Sequence, residues 1–249
     1  MTKDIYYPAY VAALFDRCST NYRNWSAVSS FGFVRRWRRE CVALLPKNHA
    51  ADTVAVDLMA GTGEVWPHLL KRFPTLGRIT AIDISHQMHI DAVNRLHKHN
   101  AKRITHIEAN ALNTDTELPA DYADMGLSTF GLKTFDADQQ TILTQQIAHI
   151  LKPGGHFSLI EASDPTGWSL RPVYRLYLDK ILPLIERVFL RGANDFSMIG
   201  TYTRNFSDCS HMRDALENAG LEVTFKRHFF GCATSASGKK PIAYSADAA

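Results

Sequence analysis

Apolar positions along the chain change their period several times, and each change predicts an element. Residues 8–17 and 25–44, rich in Ala, Leu, Trp and Arg, predict helix, and Pro46 stops the second run. From residue 52 the texture shifts. Thr53-Val-Ala-Val-Asp-Leu58 is a β-branched run ending at a glycine-rich turn, followed by a helix from about Glu64 to Arg72. Gly77 breaks that helix, and Arg78-Ile-Thr-Ala-Ile82 predicts a second strand ahead of Asp83. A helix at about 86–99, strands at about 103–108 and 124–129, and a helix near 137–151 follow. The last of these stops at Lys152-Pro-Gly-Gly155, and His156-Phe-Ser-Leu-Ile-Glu161 predicts a fifth strand. Such alternation predicts an α/β fold with a mostly parallel sheet and helices on both faces.

The remainder departs from plain alternation. Residues 172–190 predict an apolar helical segment interrupted by Pro183, and 191–207, with Gly192 and Gly200, predict a loop. A helix at about 208–219 stops at Gly220, Leu221-Glu-Val-Thr-Phe225 predicts a strand, and the last strand follows residue 229. The long stretch between the fifth and sixth strands is expected to cover a substrate.

Composition narrows the function classes. The 249 residues fit one large domain, and 45% hydrophobic content supplies a core. A net charge of +3 is too small to argue for nucleic acid. No apolar run approaches the roughly 20 residues that cross a bilayer. Asp4 and Pro8 stand where a signal peptide would be apolar. Cys18, Cys41, Cys209 and Cys232 are far apart with no C-x-x-C pair, so neither a zinc knuckle nor a disulfide framework is expected. A reducing cytoplasm is the default expectation, and a structural protein, a membrane channel and a secreted toxin are excluded.

The candidate chemistry sits at Asp57-Leu-Met-Ala-Gly61-Thr-Gly63, where the first strand meets the first helix of the sheet. In open parallel sheets ligands bind at the carboxyl ends of the strands. Gly61 and Gly63 would let backbone approach a ligand, and Asp83, at the end of the second strand, can accept both hydroxyls of a ribose. A dinucleotide site wants G-x-G-x-x-G, yet Glu64-Val-Trp66 follows Gly63 and the third glycine is absent. The leading acid Asp57 would repel a pyrophosphate but tolerate the ammonium of S-adenosylmethionine.

With Ala81-Ile-Asp-Ile-Ser85, Ala109-Asn-Ala111 and Leu151-Lys-Pro-Gly-Gly155, that turn resembles the successive motifs of class I S-adenosylmethionine-dependent methyltransferases. Tyr22, Ser30-Phe-Gly32, Arg35, Trp37, Phe130-Gly-Leu-Lys133, Asn194-Asp195 and Ala219-Gly220 narrow the resemblance to the ubiquinone/menaquinone-biosynthesis C-methyltransferases, over roughly residues 12 to 242. The resemblance implies a Rossmann-like seven-stranded sheet with an antiparallel last strand. It divides one domain into a helical cap (1–50), a cofactor-binding core (51–164), a substrate lid (165–207) and a C-terminal helix and strands (208–249). It implies S-adenosylmethionine held by Asp57, Met59, Ala60, Gly61, Thr62, Gly63, Asp83, Ile84, Asn110, Ala111 and Thr129, with Tyr22 closing over it. Methyl transfer to carbon of a small aromatic, quinol or isoprenoid acceptor follows. O- or N-methylation in secondary metabolism and a cofactor-retaining, non-methylating protein are the competing readings. A homodimer is compatible with it. Met59 and Ala60 replace the first two glycines of the usual turn, and Lys133-Thr134 replaces Arg-Asn.

Lys133 would stabilise a phenolate as its ortho carbon becomes nucleophilic; the alternative is a solvated lysine in a surface pair. Tyr22 could instead anchor the helical cap. Tyr202 either orients a substrate hydroxyl or simply packs. His86 and His89 have a metal-compatible spacing but no third ligand, so no metal is expected. His228 reads as a core-edge histidine rather than a base. In Arg35-Arg36-Trp37-Arg38-Arg39 the arginines are expected to splay to solvent while Trp37 packs, with peripheral membrane contact as the alternative.

Overall fold

The computed structural model describes residues 4–47, 50, 52–99, 101–189 and 198–242; the side chains of 20–24 and 188–189 lie outside that description. Seven strands form one sheet: β1 (Val54–Leu58), β2 (Arg78–Asp83), β3 (Ile104–Glu108), β4 (Ala123–Thr129), β5 (Leu151–Ala162), β6 (Glu222–His228) and β7 (Ala233–Lys239). Their order is β3-β2-β1-β4-β5-β7-β6, parallel except for β7, which runs antiparallel to both neighbours. The sheet is Rossmann-like and seven-stranded, with the last strand antiparallel as expected. The order reverses direction at β1 and β4, so the crevice at their carboxyl ends is where a ligand fits.

Nine helices flank the sheet among the described residues: α1 (Pro8–Ser29), α2 (Phe33–Leu44), α3 (Trp66–Arg72), α4 (His86–Lys98), α5 (Ala137–Ile150), α6 (Arg171–Leu176), α7 (Leu182–Phe189), α8 (Met198–Phe206) and α9 (Ser210–Asn218). The period-2 alternation of β1 decides which side chain meets which layer. Ala55 packs with Val42 of α2 and Leu69 of α3, whereas Val56 and Leu58 pack with Leu143 and Ile147 of α5 and Met212 of α9. Each fully buried Leu or Ile of these layers contributes about 1.5–3 kcal/mol. Local signals start the helices: Ser85 caps α4 through the Met88 N–H, and Asp136 with Gln139 forms a capping box on α5.

Several expected boundaries move. The first helix does not stop at 17 but continues to Ser29, because the left-handed turn that ends it is at Phe31 (φ 51°) and Gly32 (φ 78°). The fifth strand begins at Leu151, which pairs with Ala123, so Lys152-Pro-Gly-Gly155 lies inside an irregular strand. Pro183 does not interrupt a helix. It sits in the first turn of α7, directly after a π-turn at Tyr177–Ile181. Residues 198–206 are helical rather than loop. Gly200 is not a breaker there; a Cβ would lie 2.5 Å from Asp179 Oδ1. Asn194 and Asp195 lie outside the described residues.

Candidate active site

The turn after β1 is built on buried acids. Alternation places Asp57 on the α3 face, where its Oδ2 accepts the indole N–H of Trp66 at 2.9 Å, while Oδ1 has no hydrogen-bond partner. Burial pushes this carboxyl up to about 8, with the nearby Asp83 and Glu64 adding to the rise and the Trp66 hydrogen bond opposing it. Asp83, at the carboxyl end of β2, accepts the Gly61 N–H at 2.7 Å and the Ser85 N–H at 2.9 Å. Burial still raises it to about 6. Two buried carboxyls, with no salt bridge from an Arg or Lys to either among the described residues, form an acidic floor whose raised values a bound cation would pull back down.

Above this floor opens a cleft with about 740 Å³ of empty space. Met59, Ala60, Gly61, Asp83 and Ile84 line one wall, and Asn110, Ala111 and Thr129 another. Asn110 Oδ1 accepts the Leu112 N–H at 3.0 Å, which holds the loop after β3 against the cleft. Asp57, Thr62 and Gly63 lie behind the lining. Thr62 Oγ1 donates to Glu64 Oε1, and its carbonyl accepts from Arg95 at 2.7 Å. Gly63 is not there for ligand approach: a Cβ would fall 2.2 Å from the Trp66 ring, and its φ is +79°. Gly61 has open space apart from Glu64 Oε2 at 3.8 Å. Met59 adopts φ 53°, and its side chain occupies the place of a Cβ on Gly131, at 2.5 Å. The absent first glycine of the turn is thus accommodated by a glycine on the loop after β4.

Sequence reasoning missed the roof. Tyr6, Pro8, Val11 and Phe15 of the N-terminal segment line the cleft, and Gln139 of α5 donates to the Tyr6 carbonyl at 3.0 Å. Pro8 at the start of a helical pattern was the signal available; nothing in it said which surface α1 would cover. Tyr22 belongs to α1, but its side chain lies outside the described residues.

A second cavity, with about 750 Å³ of empty space, adjoins the first through shared walls at Phe15, Phe130 and Thr134. Its remaining walls are largely apolar, from Leu14 and Trp25 of α1, Val34 of α2 and Ile199 of α8. Lys133 lines it from a short 3₁₀ turn after β4, with Nζ 2.7 Å from Glu161 Oε1. Lys133 is therefore no solvated surface lysine; its side chain is 12% exposed and Glu161 is 0%. Tyr202 contributes its ring to the same cavity from α8, while its hydroxyl donates to the Ile5 carbonyl at 2.6 Å. That hydroxyl ties α8 to the N-terminal segment at Ile5.

The histidines lie apart from both cavities. His86 pairs with Glu108 at 2.7 Å and His89 with His106 at 2.9 Å, so the two diverge to different partners. No group of three or more His, Cys, Asp or Glu able to hold a metal occurs among the described residues. Both ring nitrogens of buried His228 are engaged, by Glu40 at 2.6 Å and Ser235 at 2.9 Å. Arg35, Arg36 and Arg39 are exposed, but Arg38 is buried, with its guanidinium 5.5 Å from the Phe130 ring centroid. The cluster thus does not splay as a whole. No helix among the described residues is long and apolar enough to cross a membrane.

The model of the ubiE/COQ5 methyltransferase family matches residues 3–240. The demethylmenaquinone methyltransferase of Lactiplantibacillus plantarum is 28% identical over 232 residues, covering 92% of this chain and 95% of that one. Among solved structures, an O-methyltransferase family protein from Burkholderia thailandensis superposes with a TM-score of 0.60 at 19% identity, over 92% of this chain and 63% of that chain. Human N-acetylserotonin methyltransferase in complex with SAM gives 0.57 at 20% identity, over 90% of this chain and 58% of the other. This chain spans less than two thirds of either longer structure, and these two likenesses concern the fold.

Proposed function

The chain belongs to the ubiE/COQ5 methyltransferase family, and on that premise we propose that it transfers a methyl group to a ring carbon of a small quinol-type acceptor seated in the second cavity. It is a class I S-adenosylmethionine-dependent methyltransferase. The observation that carries the acceptor reading is the junction of the two cavities. An acid-floored cleft meets a largely apolar chamber at Phe15, Phe130 and Thr134, with Lys133 in the chamber wall.

The residues present fit the cofactor. The unpartnered buried Oδ1 of Asp57 is a ready acceptor for its ammonium group, and Asp83 retains lone pairs for ribose hydroxyls beside its two backbone N–H bonds. In this reading Met59, Ala60, Gly61 and Thr62 address the methionine portion, with Gly63 supporting the turn from behind. Ile84, Asn110 and Ala111 flank the adenine, and Thr129 faces the junction. When bound, S-adenosylmethionine supplies an electrophilic methyl group on a sulfonium. The protein's own share is orientation and charge. Apolar walls exclude water and hold the ring near the junction, which is where proximity supplies much of the acceleration. Once the acceptor hydroxyl has lost its proton to solvent, Lys133 Nζ holds the resulting phenolate oxygen. That charge flows into the ring as the ortho carbon attacks the methyl group, and the proton on that carbon then leaves to solvent.

Incubation with methyl-labelled S-adenosylmethionine and separated lipid and aqueous extracts of the source cells tests this. Label on a ring carbon of a prenylated quinone is expected. Label only on an ether oxygen, or only in a water-soluble product, would refute the acceptor assignment.

A further inference from the structure

Glu161 was singled out by no sequence pattern, yet it organises the only basic side chain in the described chamber wall. It stands on β5 with no solvent exposure. Oε1 accepts Lys133 Nζ at 2.7 Å and the Ala162 N–H at 2.7 Å, and Oε2 accepts the Lys133 N–H at 3.2 Å. One carboxylate therefore grips both the backbone and the ammonium of Lys133. No Asp or Glu lines the chamber itself among the described residues. The cation that faces the acceptor thus arrives with its charge already matched.

We propose that Glu161 is a positioning residue that holds Lys133 as a pre-neutralised cation, so that the chamber takes its acceptor as an uncharged hydroxyarene and rejects anionic ones. The inference rests on the reading of this chamber as the acceptor site. A carboxylated acceptor would bring a second anion to a pair that balances to zero, inside apolar walls, and buried charge without a partner is costly. An uncharged phenol brings no such excess. Lys133 Nζ, with one N–H spent on Glu161, keeps two donors for the bound phenol oxygen, which becomes charged only when its hydroxyl proton leaves to solvent on the way to methyl transfer.

The test compares binding of 1-naphthol and 1-hydroxy-2-naphthoate to the full chain saturated with S-adenosylhomocysteine. Wild type is expected to prefer 1-naphthol by at least about tenfold. Glu161→Gln keeps the shape and much of the hydrogen bonding but leaves Lys133 unmatched. Its preference is expected to narrow by about tenfold or reverse toward the naphthoate. Glu161→Gln combined with Lys133→Met is neutral again and is expected to regain the preference for 1-naphthol. Unchanged thermal stabilisation by S-adenosylhomocysteine in each variant checks that the cleft is folded. A Glu161→Gln protein with the wild-type preference overturns the proposal while leaving the acceptor site in place. Wild type that binds neither probe overturns the acceptor-site reading, and this inference with it.

Discussion

The cleft beside Asp83 and the chamber beside Lys133 share three wall residues but draw their polarity from different sources. In the cleft it comes from backbone turns at strand ends and from two acids whose burial raises them, Asp57 to about 8 and Asp83 to about 6. In the chamber it comes from one lysine already matched by a buried glutamate, set among helices α1, α2 and α8. The first region holds acids that a bound cation would help to ionise, whereas the second arrives with its one cation already matched. That difference separates two tasks on one sheet: gripping a cationic cofactor, and admitting a flat, apolar acceptor.

The sharpest way to break the distinction is to remove the acid that serves the cleft. Asp83→Ala strands the Gly61 and Ser85 N–H groups and deletes the ribose acceptor. Affinity for S-adenosylhomocysteine is expected to fall by about 3–4 kcal/mol, several hundredfold, and calorimetry reads it directly. Next is the turn itself. Gly63→Ala forces a Cβ into the Trp66 ring at a positive φ and is expected to cost about 2–4 kcal/mol of folding stability, measured by denaturant unfolding. Gly61→Ala, strained in φ but with room, is expected to cost about 1 kcal/mol. Equal costs at the two positions would contradict the view that Gly63 serves packing.

A smaller effect concerns pH. The ordinary carboxylate value for both acids is 3.8, so the folded cleft retains protons that the unfolded chain has released. Their contribution is therefore greatest at low pH and is lost as pH rises through the raised values. His106, lowered to about 4 from 6.5, acts oppositely but only below pH 6.5. Between pH 6.5 and 8 the stability of the ligand-free protein is expected to drop by up to about 2 kcal/mol, a few °C in Tm, because of Asp57. The exposed His86, raised by Glu108, slopes the same way, so the difference between wild type and Asp57→Asn isolates the Asp57 part. Parallel profiles for the two proteins would show that Asp57 is not titrating in this range.

The two regions also differed in how far they could be read from sequence. The cleft is written in short local segments: a β-branched run, an acid, a turn and another acid at a strand end. The parallel alternation carried these to one edge of the sheet. Even so, the glycines looked alike, and only the Trp66 ring behind Gly63 separates their tasks. The chamber depends on contacts between residues far apart in the chain. Lys133 meets Glu161 across β4 and β5, and Tyr202 reaches Ile5. The sequence pattern predicts loop over helix α8 because Gly200 resembles a breaker, whereas in the fold it answers a close approach to Asp179. The sequence pattern puts Arg38 on the exposed side because its burial depends on Phe130, which lies beyond four intervening strands of sequence. No local period encodes such partners.

The division of tasks is tested most directly by measuring cofactor affinity and single-turnover methyl transfer side by side in Lys133→Ala. S-adenosylhomocysteine is expected to bind within about twofold of wild type, while the transfer rate falls by about a hundredfold, close to 3 kcal/mol of lost transition-state stabilisation. Full turnover, or loss of cofactor binding together with turnover, would contradict the separation of the two cavities.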